Sequence, residues 1–351
     1  MKAAYLDAPG GPEVIRYGDL PTPDPKPGEV RVRVAASAVN PIDVYYRSGM
    51  VKADLPKPYI PGCDFAGTVD AVGAGVSRFK PGDRVWGSNQ GLLGRQGTLA
   101  EFCCVEEKWA YPLPAGITET DAAAVALVGI TAYLGLFWRA GLKTVEPAKL
   151  GKPPAEVSQP NRGETVFVNG GTGGVGMTVI QMAKAAGAKV VTTAGTAEKC
   201  ELASKLGADR VVNYKTDDLA AAVKEFTGGR GVDVWYETQP PTDLDRTIEL
   251  MAAWGRVVLM AGRAARPVLP NGPFYVKGLS LVGFAMFNAP AAVQAEAAAH
   301  INGLLQAGRL KPIIGRIFPL SEAAAAHRLQ EENTLGKAGT LTGKIVVTPP
   351  A

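Results

Sequence analysis

A doubly wound parallel α/β sheet joined to a β-rich region is the fold class that these 351 residues predict, on three observations. Short apolar alternations between Pro/Gly clusters fill residues 1 to about 110, the pattern of a β-rich domain. From 165 onward strand-like and helix-like runs alternate at the spacing of a parallel sheet with crossover helices. A glycine-rich turn, Gly171-Thr172-Gly173-Gly174-Val175-Gly176, joins the first of those strands to its helix.

In the β-rich part, Glu29–Val34 alternates charged and apolar residues, Gly67–Val72 is a second apolar run, and Pro/Gly clusters at 21–28, 56–62 and 73–82 supply the turns. From about 119 Ala, Leu and Gly runs read as helix. Strand Thr165–Asn169 is followed by helix 174–186, strand Lys189–Thr193 by helix 197–206, and strand Arg210–Asn213 by helix 217–227. Strand Val232–Tyr236, helix 242–253 and strand Arg256–Ala261 continue the pattern. Leu279–Phe284 is a further strand, followed by an Ala-rich helix over 290–307, a second helix over 321–332 and a closing strand, Lys344–Thr348. There is no internal repeat. The stretch 144–161, with four prolines, breaks the rhythm, since a compact connection needs only ~2–6 residues. It enters the amino end of its strand, whereas ligands of such sheets sit at the carboxyl ends, so it reads as a surface or subunit-contact loop, with a lid as the alternative.

Composition narrows the function. The chain is 46% hydrophobic and 20% charged, and its 42 glycines and 27 prolines make up about a fifth of it, below the ~25–30% typical of disorder. A net charge of +4 without a long basic run gives phosphate-driven nucleic-acid binding no support. Cys63, Cys103, Cys104 and Cys200 form no C-x-x-C pair, so neither a disulfide scaffold nor a spaced zinc cluster is expected; they read as small buried apolar side chains. With no signal-peptide pattern and no run of ~18 uninterrupted apolar residues, the expectation is a soluble cytoplasmic protein with no membrane partner.

A lone G-x-G-x-x-G is a weak signal, but this one follows a strand and opens an apolar helix containing Val179, Ile180 and Met182. That is the context of a dinucleotide site, where glycines let the pyrophosphate approach backbone N–H groups at a helix N-terminus. An NAD site places Asp or Glu ~20 residues further on to accept from the ribose 2′-hydroxyl. Here Val190–Thr196 ends without an acid and Lys199 follows, which favours the 2′-phosphate of NADPH; a solvated helix lysine is the plainer alternative. An acid introduced at Ala194 or Gly195 is expected to favour NADH. No tyrosine has a lysine four residues later and no G-x-x-x-x-G-K-[ST] occurs, so short-chain dehydrogenase and NTPase chemistries are not expected. His300 and His327 lie on the C-terminal helices, where packing or solvated roles are expected.

Further motifs accompany the glycine loop: Asn40-Pro-Ile-Asp43, Pro61-Gly-Cys-Asp-Phe-Ala-Gly67, Pro81-Gly-Asp-Arg-Val85, Gly170–Gly176, Ala194-Gly-Thr196 and Leu310-Lys-Pro312. On these the chain, over nearly its whole length, resembles the zinc-independent quinone oxidoreductases (ζ-crystallin-like) of the medium-chain dehydrogenase/reductase superfamily. The resemblance implies a GroES-like catalytic domain from 1–128 and 288–351 around a Rossmann domain at 129–287, usually as a homodimer. It also implies Asn40, Asp43 and Tyr45 at the nicotinamide and substrate cleft, and Thr131 at the carboxamide. Gly195, Thr196, Tyr214, Ala261 and Gly262 join the glycine loop and Lys199 as expected cofactor contacts. The structural alternatives are Asn40 holding the loop before Pro41, Asp43 as an N-cap and Tyr45 in the core. Val51 stands where similar enzymes often carry a further Tyr.

In zinc-dependent relatives the metal is held where this chain has Asn40, Cys63 and a position near Val128, and a catalytic zinc needs three protein ligands, so no metal is expected. The function expected is NADPH-dependent reduction of a small-molecule quinone or activated enone, with Asn40 and Tyr45 as hydrogen-bond donors. Alternatives are an enoyl-thioester reductase with Arg47, Lys52 and Lys57 at a basic entrance, and a non-catalytic nucleotide-binding structural protein. The apolar strand Gly278–Phe284 is expected at a sheet edge, pairing across a two-fold axis.

Overall fold

A computed structural model describes residues 1–143, 163–240 and 243–350, so the expected surface loop at 144–161 lies outside the described residues. In chain order the elements are β1 (Lys2–Tyr5), β2 (Arg16–Asp19), β3 (Glu29–Val39), α1 (Pro41–Arg47), β4 (Phe65–Val72), β5 (Arg84–Gly87), β6 (Phe102–Glu106), β7 (Ala110–Pro112) and α2 (Glu119–Tyr133). Then come β8 (Thr165–Asn169), α3 (Gly174–Ala185), β9 (Lys189–Ala194), α4 (Ala197–Lys205), β10 (Arg210–Asn213), α5 (Leu219–Thr227), β11 (Val232–Glu237), α6 (Leu244–Leu250), β12 (Met251–Leu259), α7 (Asn271–Val276) and β13 (Ser280–Gly283). The chain closes with α8 (Ala291–Gln306), β14 (Ile314–Pro319), α9 (Ala323–Thr334) and β15 (Lys344–Thr348). It divides into two compact units, Met1–Ile130 with Pro290–Ala351, and Thr131–Ala289.

The first unit is a mainly antiparallel sheet in the order β14-β15-β3-β4-β5-β7, with β6 also on β3. β3 is central because its apolar residues alternate: Val30 and Val32 are buried against Val69 and Val105. The closing strand β15 pairs with β3 across most of the chain's length, Ile345 opposite Val39 and Val347 opposite Ser37. Strands from the first and last parts of the sequence therefore share one sheet, while β1 and β2 pair separately as a two-stranded sheet.

The second unit is a parallel sheet in the order β10-β9-β8-β11-β12-β13, which turns direction between β8 and β11. Its strands read as continuous apolar runs because helices cover both faces; Phe167, Val191, Trp235 and Val257 are buried on one of them. Side chains begin the helices: Thr196 accepts from the Lys199 N–H, Asp218 from Ala220 and Ala221, and Asp243 from Arg246.

Two expectations on this unit are corrected. The helix expected over 242–253 ends at Leu250, and β12 begins at Met251 rather than Arg256. The reason is tertiary: the Lys277 ammonium donates to the carbonyls of Ile248, Glu249 and Met251 and closes the helix. Trp254, within β12, takes a left-handed conformation, φ 65°, and is exposed. The stretch Glu119–Arg139 is long and apolar enough to cross a membrane by composition, but 72% of its most apolar window is buried in the fold, as in a core helix.

Candidate active site

The glycine loop lies at the carboxyl end of β8, beside the point where strand order reverses, the place where open α/β sheets hold ligands. Gly170 takes φ 78°, and a Cβ on Gly176 would stand 2.2 Å from the Gly170 carbonyl oxygen, so both positions require glycine for the turn to close. A Cβ on Gly171 would meet Thr192 Oγ1 at 2.0 Å. Gly173, exposed and extended, is the N-cap of α3, and a Cβ there would meet only the Gly170 oxygen at 3.5 Å. Thr172, Gly174 and Val175 are partly exposed beside it. The first-turn N–H groups of α3 thus open on a space that the chain leaves clear, a cradle for a pyrophosphate.

β9 ends at Ala194 without an acid. Gly195 is packed under Tyr214, whose Oη would be 2.2 Å from a Cβ there, while the Tyr214 ring is 62% exposed. Thr196 caps α4, and Lys199 lies one turn in. Ala194 is only 2% exposed, so the expectation that an acid at Ala194 would serve as well as one at Gly195 is corrected: that carboxylate would point into the core. Ala261 and Gly262 follow the end of β12, Gly262 with φ 80°. The second unit therefore brings all the expected cofactor residues except Thr131 to the carboxyl edge of one sheet. Thr131 is 3% exposed, and its carbonyl accepts from Tyr236 Oη at 2.8 Å.

Sequence reasoning missed a polar network beneath this edge. Thr193 Oγ1 accepts from the Gly170 N–H and donates to Asn169 Oδ1, each at 2.9 Å. Asn169 Nδ2 donates to Glu237 Oε1 at 2.8 Å, joining the ends of β9, β8 and β11. Glu237 also accepts from the Gln239 N–H and Trp235 Nε1, and burial pushes its carboxyl above the usual range against these donors. Scattered single residues at strand ends carry no motif, so nothing in the sequence marked them.

In the first unit Asn40, Asp43, Cys63 and Asp64 are wholly buried with Lys344. Asp43 Oδ2 accepts from the Asn40 backbone N–H at 2.7 Å, so Asp43 is not the N-cap but the third residue of a capping box whose N-cap is Asn40, and Oδ1 accepts from the Cys63 thiol at 2.8 Å. Asn40 Nδ2 donates to Asp64 Oδ2 at 2.8 Å and its Oδ1 accepts from Lys344. Asp64 Oδ1 further accepts from Ser88 Oγ and the Leu127 N–H. Burial pushes Asp43 up to about 6 and Asp64 up to about 7, opposed by these donors and by the Lys344 charge, and it lowers Lys344.

This geometry corrects Asn40 as a donor to substrate, because its amide hydrogens are directed at Asp64 and Ala38 inside the fold. Tyr45 is half-buried, and burial raises its phenol so that it stays protonated. Arg47, expected at a basic entrance, is instead 0% exposed and bonded to the Gly10 carbonyl and to Glu331. Cys63 and Cys103 are buried as expected, but Cys104 and Cys200 are partly exposed.

Zinc does not fit this cluster. Among the described residues no group of three or more His, Cys, Asp or Glu is placed to hold a metal. The Asn40 amide and the Cys63 thiol are already committed within the network, Val128 offers no donor, and the ammonium of Lys344 already supplies positive charge there.

Residues 26–115 match the alcohol dehydrogenase GroES-like domain, and residues 174–302 match the family described as zinc-binding dehydrogenase. With the parallel sheet and its glycine loop, these matches define a medium-chain dehydrogenase/reductase. The quinone oxidoreductase of Homo sapiens is 32% identical over 348 residues, which cover 99% of this chain and 97% of that protein. The Escherichia coli quinone oxidoreductase solved in complex with NADPH superposes with a TM-score of 0.82 at 28% identity, covering 99% of this chain and 100% of that one. A 2-haloacrylate reductase superposes with a TM-score of 0.81 at 28% identity over 100% of both chains. The chain belongs to the quinone oxidoreductase family of the medium-chain dehydrogenases/reductases.

Proposed function

We propose that the chain is an NADPH-dependent, zinc-free oxidoreductase that reduces quinones or activated enones. The observation that carries this is the carboxyl edge of the parallel sheet, where a glycine loop opens on α3 and the next strand is followed by Gly195, Thr196 and Lys199 with no acid. The names of the human and E. coli quinone oxidoreductases and of the 2-haloacrylate reductase support the substrate class.

When bound, NADPH supplies the hydride. The first-turn N–H groups of α3 hold the pyrophosphate, Lys199 and Tyr214 meet the 2′-phosphate, Thr131 meets the carboxamide, and Ala261 and Gly262 complete the contacts. Tyr45 donates a hydrogen bond to the substrate carbonyl and polarises it; the proton that completes reduction comes from solvent. Asn40 and Asp43 act behind Tyr45, as they are wholly buried and bonded to each other at the start of its helix. The enoyl-thioester alternative loses support because Arg47 is withdrawn from any basic entrance.

The chain works as a homodimer through β13, which among the described residues has a paired neighbour, β12, on one side only, and beside which Trp254 and Val276 are exposed. Four unpaired cysteines support a reducing, cytoplasmic setting. The decisive experiment follows oxidation of NADPH and NADH against a panel of quinones, alkenals and enoyl-CoA. Turnover of a quinone or enone with NADPH preferred is expected; no turnover of any acceptor would leave the non-catalytic alternative.

A further inference from the structure

Lys344, the first residue of β15, is 6% exposed, and a buried ammonium is tolerated only when it is hydrogen-bonded and its charge is answered. Its Nζ donates to the Val39 carbonyl at 2.9 Å and to Asn40 Oδ1. These two acceptors are the last residue of β3 and the N-cap of α1, so the ammonium grips the junction between strand and helix. The contact fixes which way the Asn40 amide points. With Oδ1 taken by a cation, Nδ2 must face Asp64 Oδ2, whereas the flipped amide would set its hydrogens against the ammonium. The same residue's backbone N–H holds Asp43, which closes the first turn of α1.

We propose that Lys344 is a positioning residue of the reductase: its ammonium, brought in by the closing strand, orients Asn40 and so fixes the strand-to-helix junction from which α1 presents Tyr45. The proposal rests on the role given to Tyr45 above. The competing role for Lys344 is charge balance alone, since Asp43 and Asp64 are the two buried carboxyl groups beside it. The two roles separate when the charge is balanced in another way.

The test uses the full chain as Lys344→Met, Lys344→Arg and the double variant Lys344→Met/Asp64→Asn. Quinone turnover with NADPH is measured on each, together with hydrogen exchange of the α1 amides. Lys344→Met is expected to lose about ten- to hundredfold in kcat/KM for the quinone, the range of one charge-assisted hydrogen bond, while KM for NADPH stays within about twofold. Its α1 amides should exchange about tenfold faster, the effect of about 1.4 kcal/mol less local protection. Lys344→Arg, which keeps a cationic donor, should recover most of both losses. The double variant removes one charge of each sign but also the acceptor of Asn40 Nδ2, so Asp64→Asn alone is measured beside it; the double variant should regain thermal stability yet fall below Asp64→Asn in both turnover and protection. It also carries the test if Lys344→Met alone does not fold. Quinone kinetics and α1 protection in the double variant equal to those of Asp64→Asn would overturn the proposal and leave Lys344 a charge balancer. If the wild type itself turns over no quinone or enone, the functional reading falls, and the exchange data still decide the positioning role.

Discussion

Arg47 and Glu331 form an ion pair of 2.7 Å that ties α1 to α9, with the guanidinium wholly buried and the carboxylate 27% exposed. A second guanidinium nitrogen donates to the Gly10 carbonyl at 2.7 Å. Removing only the carboxylate strands a buried charge, so Glu331→Ala is expected to lose about 3–5 kcal/mol of stability. Glu331→Gln, which keeps an acceptor, should lose less. Urea unfolding of the three proteins measures both, and a loss for Glu331→Ala within error of zero would show that solvent reaches Arg47.

His327 packs in the same place, wholly buried with neither ring nitrogen hydrogen-bonded among the described residues, and burial together with the Arg47 charge lowers it to about 3 from 6.5. The folded state keeps the neutral ring while the unfolded chain takes up a proton as pH falls through 6.5, so stability drops from there down toward pH 3. At pH 5 the deficit attributable to this one ring is about 2 kcal/mol. In His327→Leu that acid-side slope should flatten, while the contributions of Asp43 and Asp64 stay common to both proteins. Parallel stability profiles between pH 7 and 5 would mean that the ring takes up its proton in the fold as readily as in the unfolded chain.

On the function proposed above, cofactor choice is made at the end of β9. Lys199→Ala should weaken NADPH by about 10- to 150-fold, with the lower end expected at an accessible rim, and leave NADH nearly unchanged. Gly195→Asp should reverse the preference, because the side chain it displaces, Tyr214, is largely exposed and can move. Ala194→Asp should damage the fold instead, as its carboxylate would be buried. The ratio of kcat/KM for the two cofactors at one ionic strength checks all three; equal losses for both cofactors in Lys199→Ala would make that residue structural.

Two glycines of the loop should fail in different ways. Gly176→Ala pushes a methyl against the Gly170 backbone, so a lower melting temperature is expected with about 1–3 kcal/mol of lost stability. Gly173→Ala makes only an ordinary contact with the Gly170 oxygen, at 3.5 Å, and should fold normally, yet bind NADPH roughly tenfold more weakly, because on the proposed function the methyl stands where the pyrophosphate approaches. Calorimetry and cofactor titration separate the two. Unchanged NADPH affinity in Gly173→Ala would move the pyrophosphate away from this turn.

Light scattering at micromolar concentration should give twice the chain mass. Leu281, 40% exposed on β13, is the residue to change: Leu281→Glu places like charges opposite each other across a two-fold axis and should yield monomers. A wild-type monomer would remove the pairing of β13 edges.

Sequence alone determined the elements that a local period or a local backbone requirement encodes. Strands Thr165–Asn169, Arg210–Asn213 and Lys344–Thr348 fall where the apolar pattern puts them, because burial on a sheet writes itself into neighbouring residues. The glycine turn was equally legible, since only glycine satisfies its positive φ and close backbone approaches. What the fold alone decided are the partners of single polar residues. Asn40 is engaged by an ammonium 304 residues away, Arg47 by a carboxylate 284 residues away, and the end of α6 by Lys277. Each of these contacts depends on one pair of side chains that strand pairing or helix packing brings together, and a pair so far apart leaves no periodicity to read. The direction of Asn40, the burial of Arg47 and the early end of α6 therefore belong to the tertiary structure, where the cost of an unpaired buried polar group selects the partner.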